Sequence, residues 1–484
     1  MAKIAPTTRG HGNHVPGLKR VLGRGDLILL FIVAVSNLNM VPPISASGAI
    51  TLWLWLAALV FYFWPQGAAV TELSQKWPGE GGIYLWAKRS FGEQHGFFAG
   101  WCYWLSNVFY LPTVVLSCVG VGLYVFGPNI QKLENNQVFT SSTAIGILLF
   151  LLILNIRGLS FGKWINNLGG VGTVGGAAVV ILLAALTLHH HGSALHRVDL
   201  HPQFDWRLFA VFGTICYSLV GLDIASIMGD EIREPKRNLP VAIFWGGLAA
   251  ALIYIGTTAA MLIALPHQEI GILSGILQAI NVMAAHNGLM FVVAPLAFLE
   301  CLAILGTASA WFSGAARLPF VAGIDRYLPP IVGKIHPRFR TPYVSLIIYA
   351  ALSALLTLMS FLGVSVGEAY LTLLDLAVIL QLLPTCYLFG ALVKHALEAD
   401  QLNASRSYLL ANGVGGLIAA IVGLIVAFIP SRSVNSIWLY EIKLIIGCVL
   451  VFGSAYLFYR NAQRTAPAVD TVGDPAAALS GSGE

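Results

Sequence analysis

The chain has 484 residues, of which 27 are Lys or Arg, 22 are Asp or Glu and 12 are His, for a formal net charge of +5. Charged residues make up only 10% and hydrophobic residues 57%, with a mean hydropathy of +0.77, where a soluble domain carries about 25% charge. No water-facing surface holds that much apolar side chain without large exposed patches. This excludes an ordinary soluble enzyme, and basic residues scattered singly between apolar runs exclude a nucleic-acid face.

In chain order, residues 1–20 are polar, with no apolar core leading to a small-residue cleavage site, and read as an uncleaved cytoplasmic tail. Apolar runs long enough to cross a bilayer follow at 26–48, 51–71, 96–126, 141–157, 167–188, 207–229, 239–264, 285–315, 342–362, 366–392, 408–430 and 436–459; about 20 helical residues suffice for each. The expected fold is all-α and polytopic, with twelve transmembrane helices and both termini on one side. Placing the termini in the cytoplasm puts 22 Lys and Arg inside and five outside, namely Lys132, Arg197, Arg207, Arg432 and Lys443, the bias of a protein in the cytoplasmic (inner) membrane. The stretch FVAGIDRYLPPIVGKIHPRFRTP reads as a short helix at the interface. HHHGSALHRVDLHPQFDW, residues 189–206, reads as an outside loop. Its histidines lack a Cys or carboxylate partner at ligand spacing, so no metal site is expected. The six cysteines lie in or beside apolar stretches without a CxxC pair and read as small core residues. Residues 461–484 read as a disordered cytoplasmic tail.

A membrane helix that binds a polar solute at midplane has to free backbone groups. Span one, VAVSNLNMVPPISASG, carries Asn37, Asn39, Pro42, Pro43 and Ser45, and its two prolines predict a break around 38–45. The amide groups at the start of the second half-helix form a seat for a carboxylate; a packed proline kink is the structural alternative. Span six, VFGTICYSLVGLDIASIMGDE, offers Tyr217, Ser218, Gly221 and the carboxylate of Asp223. Glu300 and Asp375 are further carboxylates in apolar surroundings, each costly against lipid and therefore a candidate for coupling or gating or for a hydrogen-bonded structural acid. On span three, Tyr103, Asn107 and Tyr110 share one helical face that lines a cavity or packs against a neighbour. GGVGTVGG, 169–176, reads as a close helix contact. No GxxxxGK[ST] sequence is present to bind ATP. Breaks in the first and sixth spans imply inverted five-helix repeats, 21–205 and 206–395, with two further helices in 396–460.

Three segments carry a family resemblance: Glu72 to Trp104, with its acidic-Leu, Gly-Gly-x-Tyr, Phe-Gly and Gly-Trp pattern; Tyr217 to Ile243; and Ala316 to Pro342. Together they resemble the amino acid, polyamine and organocation permease superfamily over about residues 17–460. The resemblance implies a leucine-transporter-type 5+5 inverted repeat with discontinuous helices 1 and 6, working by alternating access on amino acids or related amines. It places substrate contacts at Asn37 to Ser45 and Tyr217 to Gly221, with Asp223 where relatives often hold an acid. Two departures stand out. NLNMVPPIS replaces the Gly-Ser/Thr-Gly element of the first helix, which favours a substrate without a carboxylate, such as an amine or polyamine. In span five, Thr173 is followed by Val174, Gly175 and Gly176, so the lysine of a Thr-x-x-Lys pattern is missing.

The expected function is therefore secondary active transport of an amino acid or organic amine, without catalysis, cofactor or metal. Asn37, Asn39 and Ser45 would supply polar contacts, carbonyls from Tyr217 to Val220 would receive an ammonium, and Tyr103, Asn107 and Tyr110 would shape the cavity. Proton coupling through Asp223, Glu300 or Asp375 is the preferred energy source. The alternatives are a polyamine or amine exchanger, a sodium-coupled amino acid symporter with Ser309 as an ion ligand, and, in another class, a non-transporting sensor or channel. The expected partners are the substrate and the lipid bilayer, with the protein a monomer or weak homodimer.

Overall fold

A computed structural model of the chain describes residues 24–77, 81–157, 159–194, 209–223, 234–316, 319, 327–339, 341–362, 364–430, 434 and 436–465. The expected amino-terminal tail, residues 466–484 of the expected carboxy-terminal tail, residues 195–206 of the expected outside loop and residues 320–326 and 340 of the interfacial segment lie outside these residues. Where the chain is described, His189–His191 continue the preceding helix instead of opening the loop, residues 461–465 continue the last helix instead of opening a tail, and the interfacial segment carries a short 3-10 helix, Pro330–Gly333.

The helices are α1 (Arg24–Val35), α2 (Val41–Ser45), α3 (Ile50–Ala58), α4 (Trp64–Lys76), α5 (Ile83–Phe91), α6 (Glu93–Leu123), α7 (Gln137–Arg157), α8 (Leu159–His191), α9 (Val211–Ser218), α10 (Pro235–Ala264), α11 (Gly275–His286), α12 (Val293–Ala315), α13 (Tyr343–Ser360), α14 (Val366–Glu398), α15 (Arg406–Val426) and α16 (Ile437–Thr465). Among the described residues nine helical stretches are long and apolar enough to cross a membrane, and Tyr343–Met359 is a shorter apolar helix. These ten coincide with ten of the twelve apolar runs. In the first run regular α-helix ends at Val35, and in the sixth it ends at Ser218.

Prolines inside the spans are accommodated by specific partners. Pro65 follows a π-helical turn, Leu59–Phe63, that joins α3 to α4 and absorbs the missing amide donor. Pro112 sits inside α6 and cannot donate to the carbonyl of Val108 four residues back; the Ser353 hydroxyl of α13 donates to that carbonyl instead, at 3.0 Å. The neighbouring carbonyl of Asn107 accepts from the Tyr349 hydroxyl at 2.8 Å. These contacts fasten α13 to the middle of α6.

α6 is the central column, with 94% of its most apolar stretch buried, whereas α7 and α16 bury 28% of theirs and turn large apolar side chains outward. Along α8, glycines allow the close approach to α12 that the sequence suggests. A Cβ on Gly169 would lie 3.0 Å from the Gly306 Cα, and one on Gly172 would lie 2.9 Å from the Leu299 carbonyl oxygen.

Polar ties close both ends of the bundle. At the end of α4, buried Glu72 accepts from the Asn403 amide at 3.1 Å and meets His395 Nε2 of α14 at 3.3 Å. At the opposite end, the Ser274 hydroxyl donates to Glu134 Oε2 at 2.6 Å, linking the 3-10 stretch Pro128–Asn135 to the start of α11. Burial pushes the Glu134 carboxyl above its ordinary range, and the Ser274 hydroxyl offsets part of that rise.

Candidate functional site

α1 stops at Val35. The Ser36 amide still bonds back to the Ile32 carbonyl at 2.9 Å, but Asn37 is extended, with φ −104° and ψ 96°, before a 3-10 turn at Leu38–Met40 and the short α2. The break thus lies at Ser36–Met40, on the amino-terminal side of the prolines rather than centred on them. The physical reason is that Pro42 and Pro43 occupy the first turn of α2, where an amide has no helical partner to lose. They start the second half-helix.

α9 ends by a similar loosening. The Leu219 amide bonds to the Cys216 carbonyl at 3.1 Å and the Val220 amide to that of Tyr217 at 3.0 Å, tight turns that leave the Ser218 carbonyl without a helical donor. Gly221 follows at φ +138°, a conformation open to glycine and rarely adopted by other residues. Asp223 comes two residues later, buried, with its carboxyl hydrogen-bonded to the Tyr103 hydroxyl. Residues 224–229, the rest of the predicted sixth span, lie outside the described residues.

The two breaks meet at one side chain. The Tyr254 hydroxyl of α10 accepts from the Asn37 amide at 2.9 Å and lies 2.5 Å from the Val35 carbonyl and 3.0 Å from the Ser218 carbonyl. Beside it is a cavity of about 20 Å³, walled by Asn37 and Met40 from the first break, Tyr217, Ser218 and Val220 from the second, Asn107 and Tyr110 from α6, Trp311 from α12 and Gln381 from α14. That volume admits little more than one water molecule, so the walls are closed on each other in this state. Two polar atoms buried in these wall residues, Asn37 Oδ1 and Gln381 Nε2, have no hydrogen-bond partner among the described residues. A buried polar group in that condition calls for a ligand or a water.

The predicted site residues divide accordingly. Asn37, Asn107, Tyr110, Tyr217 and Ser218 line the cavity. Tyr103 and Asp223 stand one helical turn behind it, joined to the wall because Asn107 Nδ2 donates to the Tyr103 carbonyl at 2.8 Å. Asn39 holds the break in place, its carbonyl accepting from the Tyr370 hydroxyl at 3.2 Å. Pro42, Pro43, Ser45 and Gly221 are buried outside the cavity wall and shape its backbone.

Glu300 is buried on α12 so close to α8 that a Cβ on Gly176 would lie 3.2 Å from its Oε2. Asp375 pairs with the Tyr440 hydroxyl of α16. Ser309 accepts from Asn155 Nδ2 of α7 at 3.3 Å. Among the described residues no group of three or more His, Cys, Asp or Glu is arranged to hold a metal ion.

Sequence reasoning overlooks Tyr254, Trp311, Gln381 and Met40 as site residues. Gln381 had a signal, a lone amide in the apolar run VILQLLP, whereas Tyr254, Trp311 and Met40 resemble ordinary apolar-span residues.

A polytopic helical membrane protein with two interrupted crossings facing a small polar cavity is the architecture of a solute carrier. Residues 22–452 match the amino acid permease family, and the chain belongs to it. An uncharacterized transporter of Legionella pneumophila is 25% identical over 92% of this chain and 97% of its own. A probable agmatine/putrescine antiporter of Lactococcus lactis is 25% identical over 63% of this chain and 65% of its own. Among solved structures, MhsT in complex with L-phenylalanine superposes with a TM-score of 0.60 at 14% identity, covering 88% of this chain and 100% of that one, and shares the fold. The protein is a multi-pass membrane transporter of amino acids or related organic compounds and not an enzyme.

Proposed function

We propose that the protein exchanges small organic amines across the cytoplasmic membrane by alternating access. The carrying observation is the chemistry of the cavity. Its wall combines Asn37, Asn107 and Gln381 with Tyr110, Tyr217, Ser218 and Trp311, giving aromatic rings for an apolar chain and, among the described residues, no Lys or Arg to meet a carboxylate. The carboxyl of Asp223 lies behind the wall through Tyr103. Such a site favours an ammonium donor over an anionic group. The similarity to a probable agmatine/putrescine antiporter supports exchange as the mode.

In this reading the twelve crossings form a 5+5 inverted repeat, residues 21–205 and 206–395, with α15 and α16 outside it and both termini cytoplasmic. The interruptions at Ser36–Met40 and Leu219–Gly221 are the moving parts, carried against the column of α6 and α14.

Proteoliposomes loaded with unlabelled putrescine test this. External labelled putrescine should accumulate by counterflow with no imposed proton or sodium gradient. Uptake confined to carboxylate-bearing amino acids and driven by sodium would overturn the amine-exchange reading.

A second reading, proton-driven uptake, is favoured by Glu300, a carboxyl buried in the α8–α12 contact beside the Leu38 turn of the first break. An inward proton gradient that drives accumulation without internal amine, and loses that effect in Glu300→Gln, would replace exchange by symport.

A further inference from the structure

A second and larger hollow shares no wall residue with the central cavity. It is a groove of about 400 Å³, against about 20 Å³ for that cavity, and runs along α4 between α10 and the start of α15. Gly67 brings α4 and α10 together in its wall, since a Cβ there would lie 2.8 Å from Ile243 Cγ2. From Trp64 to Gln75, both wall residues, α4 advances about 16 Å at 1.5 Å per residue. That is the depth of one leaflet in a hydrocarbon core about 30 Å thick.

The two ends of the groove differ in chemistry. At one, the Trp64 and Phe244 rings meet edge to face with centroids 5.9 Å apart, each nearly half exposed. Tyr408 adds a third exposed ring from α15. At the other, Thr71, Glu72, Gln75 and Asn403 come together, and among the described residues no Lys or Arg belongs to the wall. Glu72 is 2% exposed. Its contacts among the described residues all fall on one oxygen: Oε1 accepts from the Asn403 amide at 3.1 Å and from Asn403 Nδ2 at 3.3 Å, and meets His395 Nε2 at 3.3 Å. A buried carboxylate with its second oxygen uncommitted, at the end of an apolar groove, calls for a hydrogen-bond donor that arrives with an apolar body.

We propose that the groove binds a phospholipid carrying a primary ammonium, of the phosphatidylethanolamine class. Its ammonium donates to Glu72 Oε2, and one acyl chain lies along α4 to Trp64 and Phe244. The match is one of charge and length. The wall offers an acceptor and no cation, which suits an ammonium, while exposed Lys76, one residue beyond Gln75, supplies the cation for the phosphate. A free amine would use the polar end alone and leave the aromatic end empty. The inference is independent of the amine reading of the central cavity, and in the orientation proposed above the site belongs to the inner leaflet. A lipid seated there touches α4, α10 and α15 at once and should stabilise the bundle.

The test uses the full-length protein, stripped of lipid in detergent, with phosphatidylethanolamine, phosphatidylcholine and phosphatidylglycerol of identical chains. Native mass spectrometry should show one phosphatidylethanolamine retained with an apparent Kd about tenfold lower than that of phosphatidylcholine, whose trimethylated nitrogen has no N–H to donate. The same lipid should raise the melting temperature, and Glu72→Gln should bring its Kd to the phosphatidylcholine value. Equal retention of the three lipids by the parent protein, or an unchanged preference in the variant, overturns the proposal. Ethanolamine that raises the melting temperature as much as the lipid does would assign the site to a soluble amine and overturn the lipid.

Glu72 also ties Asn403 and His395, so for a Glu72→Gln that does not fold the parent protein decides. Phosphatidylethanolamine with a diazirine in its acyl chain should label peptides covering 64–75, 240–244 and 404–409, and excess phosphatidylethanolamine should suppress that labelling more than phosphatidylcholine does. Labelling spread without preference over the outward-facing helices α7 and α16 overturns the site.

Discussion

The indole of Trp55 lies stacked on the ring of Tyr254, with centroids 4.4 Å apart and planes inclined by 15°. Trp55 Nε1 also donates to Thr258 Oγ1 at 3.1 Å, one helical turn along α10, so α3 grips the face of α10 that carries the tyrosine. Both rings are fully buried. Replacing Trp55 by Ala should cost about 3 kcal/mol, the scale of a large aromatic removed from a packed interior, and should widen the range of Tyr254 rotamers. Unfolding in mixed micelles measures the first effect. An unchanged melting temperature would mean that the Trp55–Tyr254 stack does not hold α3 against α10.

The contact between α8 and α12 is set by absent side chains. A Cβ on Gly172 would lie 2.9 Å from the Leu299 carbonyl oxygen and 3.1 Å from Ala303 Cβ, while one on Gly175 would meet nothing within 4 Å. Gly172→Leu should therefore lower stability by about 1–3 kcal/mol through overpacking. Gly175→Leu, on the open side of the same helix, should lose nothing and gain up to about 1 kcal/mol from the better helix propensity of Leu. Thermal unfolding of the two variants side by side checks the difference, and equal shifts in the two would mean that packing against α12 does not distinguish the positions.

Much of this architecture is legible because a bilayer imposes a length and an apolar composition on whatever crosses it. Ten apolar runs became ten apolar helices, and polar residues in the first and sixth runs marked where regular helix would end. The position of the first break was less legible, because a proline pair reads equally as a helix breaker or as a helix start, and here it starts α2. The partners were not legible. Tyr254 lies 217 residues from Asn37 along the chain, Asp375 pairs with Tyr440, and Ser309 meets Asn155. Such pairings follow from packing angles and rotations that no local pattern encodes.

Glu134 gives its tie to Ser274 a pH dependence with a defined sign. Burial raises its folded-state pKa above the ordinary carboxylate value, with the Ser274 hydroxyl acting in the opposite sense. The folded protein therefore binds this proton more tightly than the unfolded chain. The resulting stabilisation is fully present below the ordinary carboxylate pKa and is lost as pH rises through the raised value. Glu134→Gln, which stays neutral, should abolish that loss. Melting temperatures of the two proteins should diverge in favour of the variant as pH increases from acid toward neutral, and parallel curves would show that Glu134 titrates normally.

Asp223 is the residue on which charge and hydrogen bonding can be separated. Its carboxyl is held by the Tyr103 hydroxyl, and Tyr103 is joined through its own carbonyl to the cavity residue Asn107. Asn at position 223 preserves an acceptor for Tyr103 and removes only the charge. If the carboxylate draws an ammonium into the cavity, Asp223→Asn should raise the KM for putrescine about tenfold, near 1.4 kcal/mol. A neutral solute that reaches the same cavity should be affected far less, because nothing in its recognition depends on that charge. Counterflow at fixed pH measures both. Equal KM values for parent and variant would mean that Asp223 works as a neutral hydrogen-bonding acid that fixes Tyr103, leaving the Asn37, Ser218 and Gln381 groups to recognise the amine without a charge behind them.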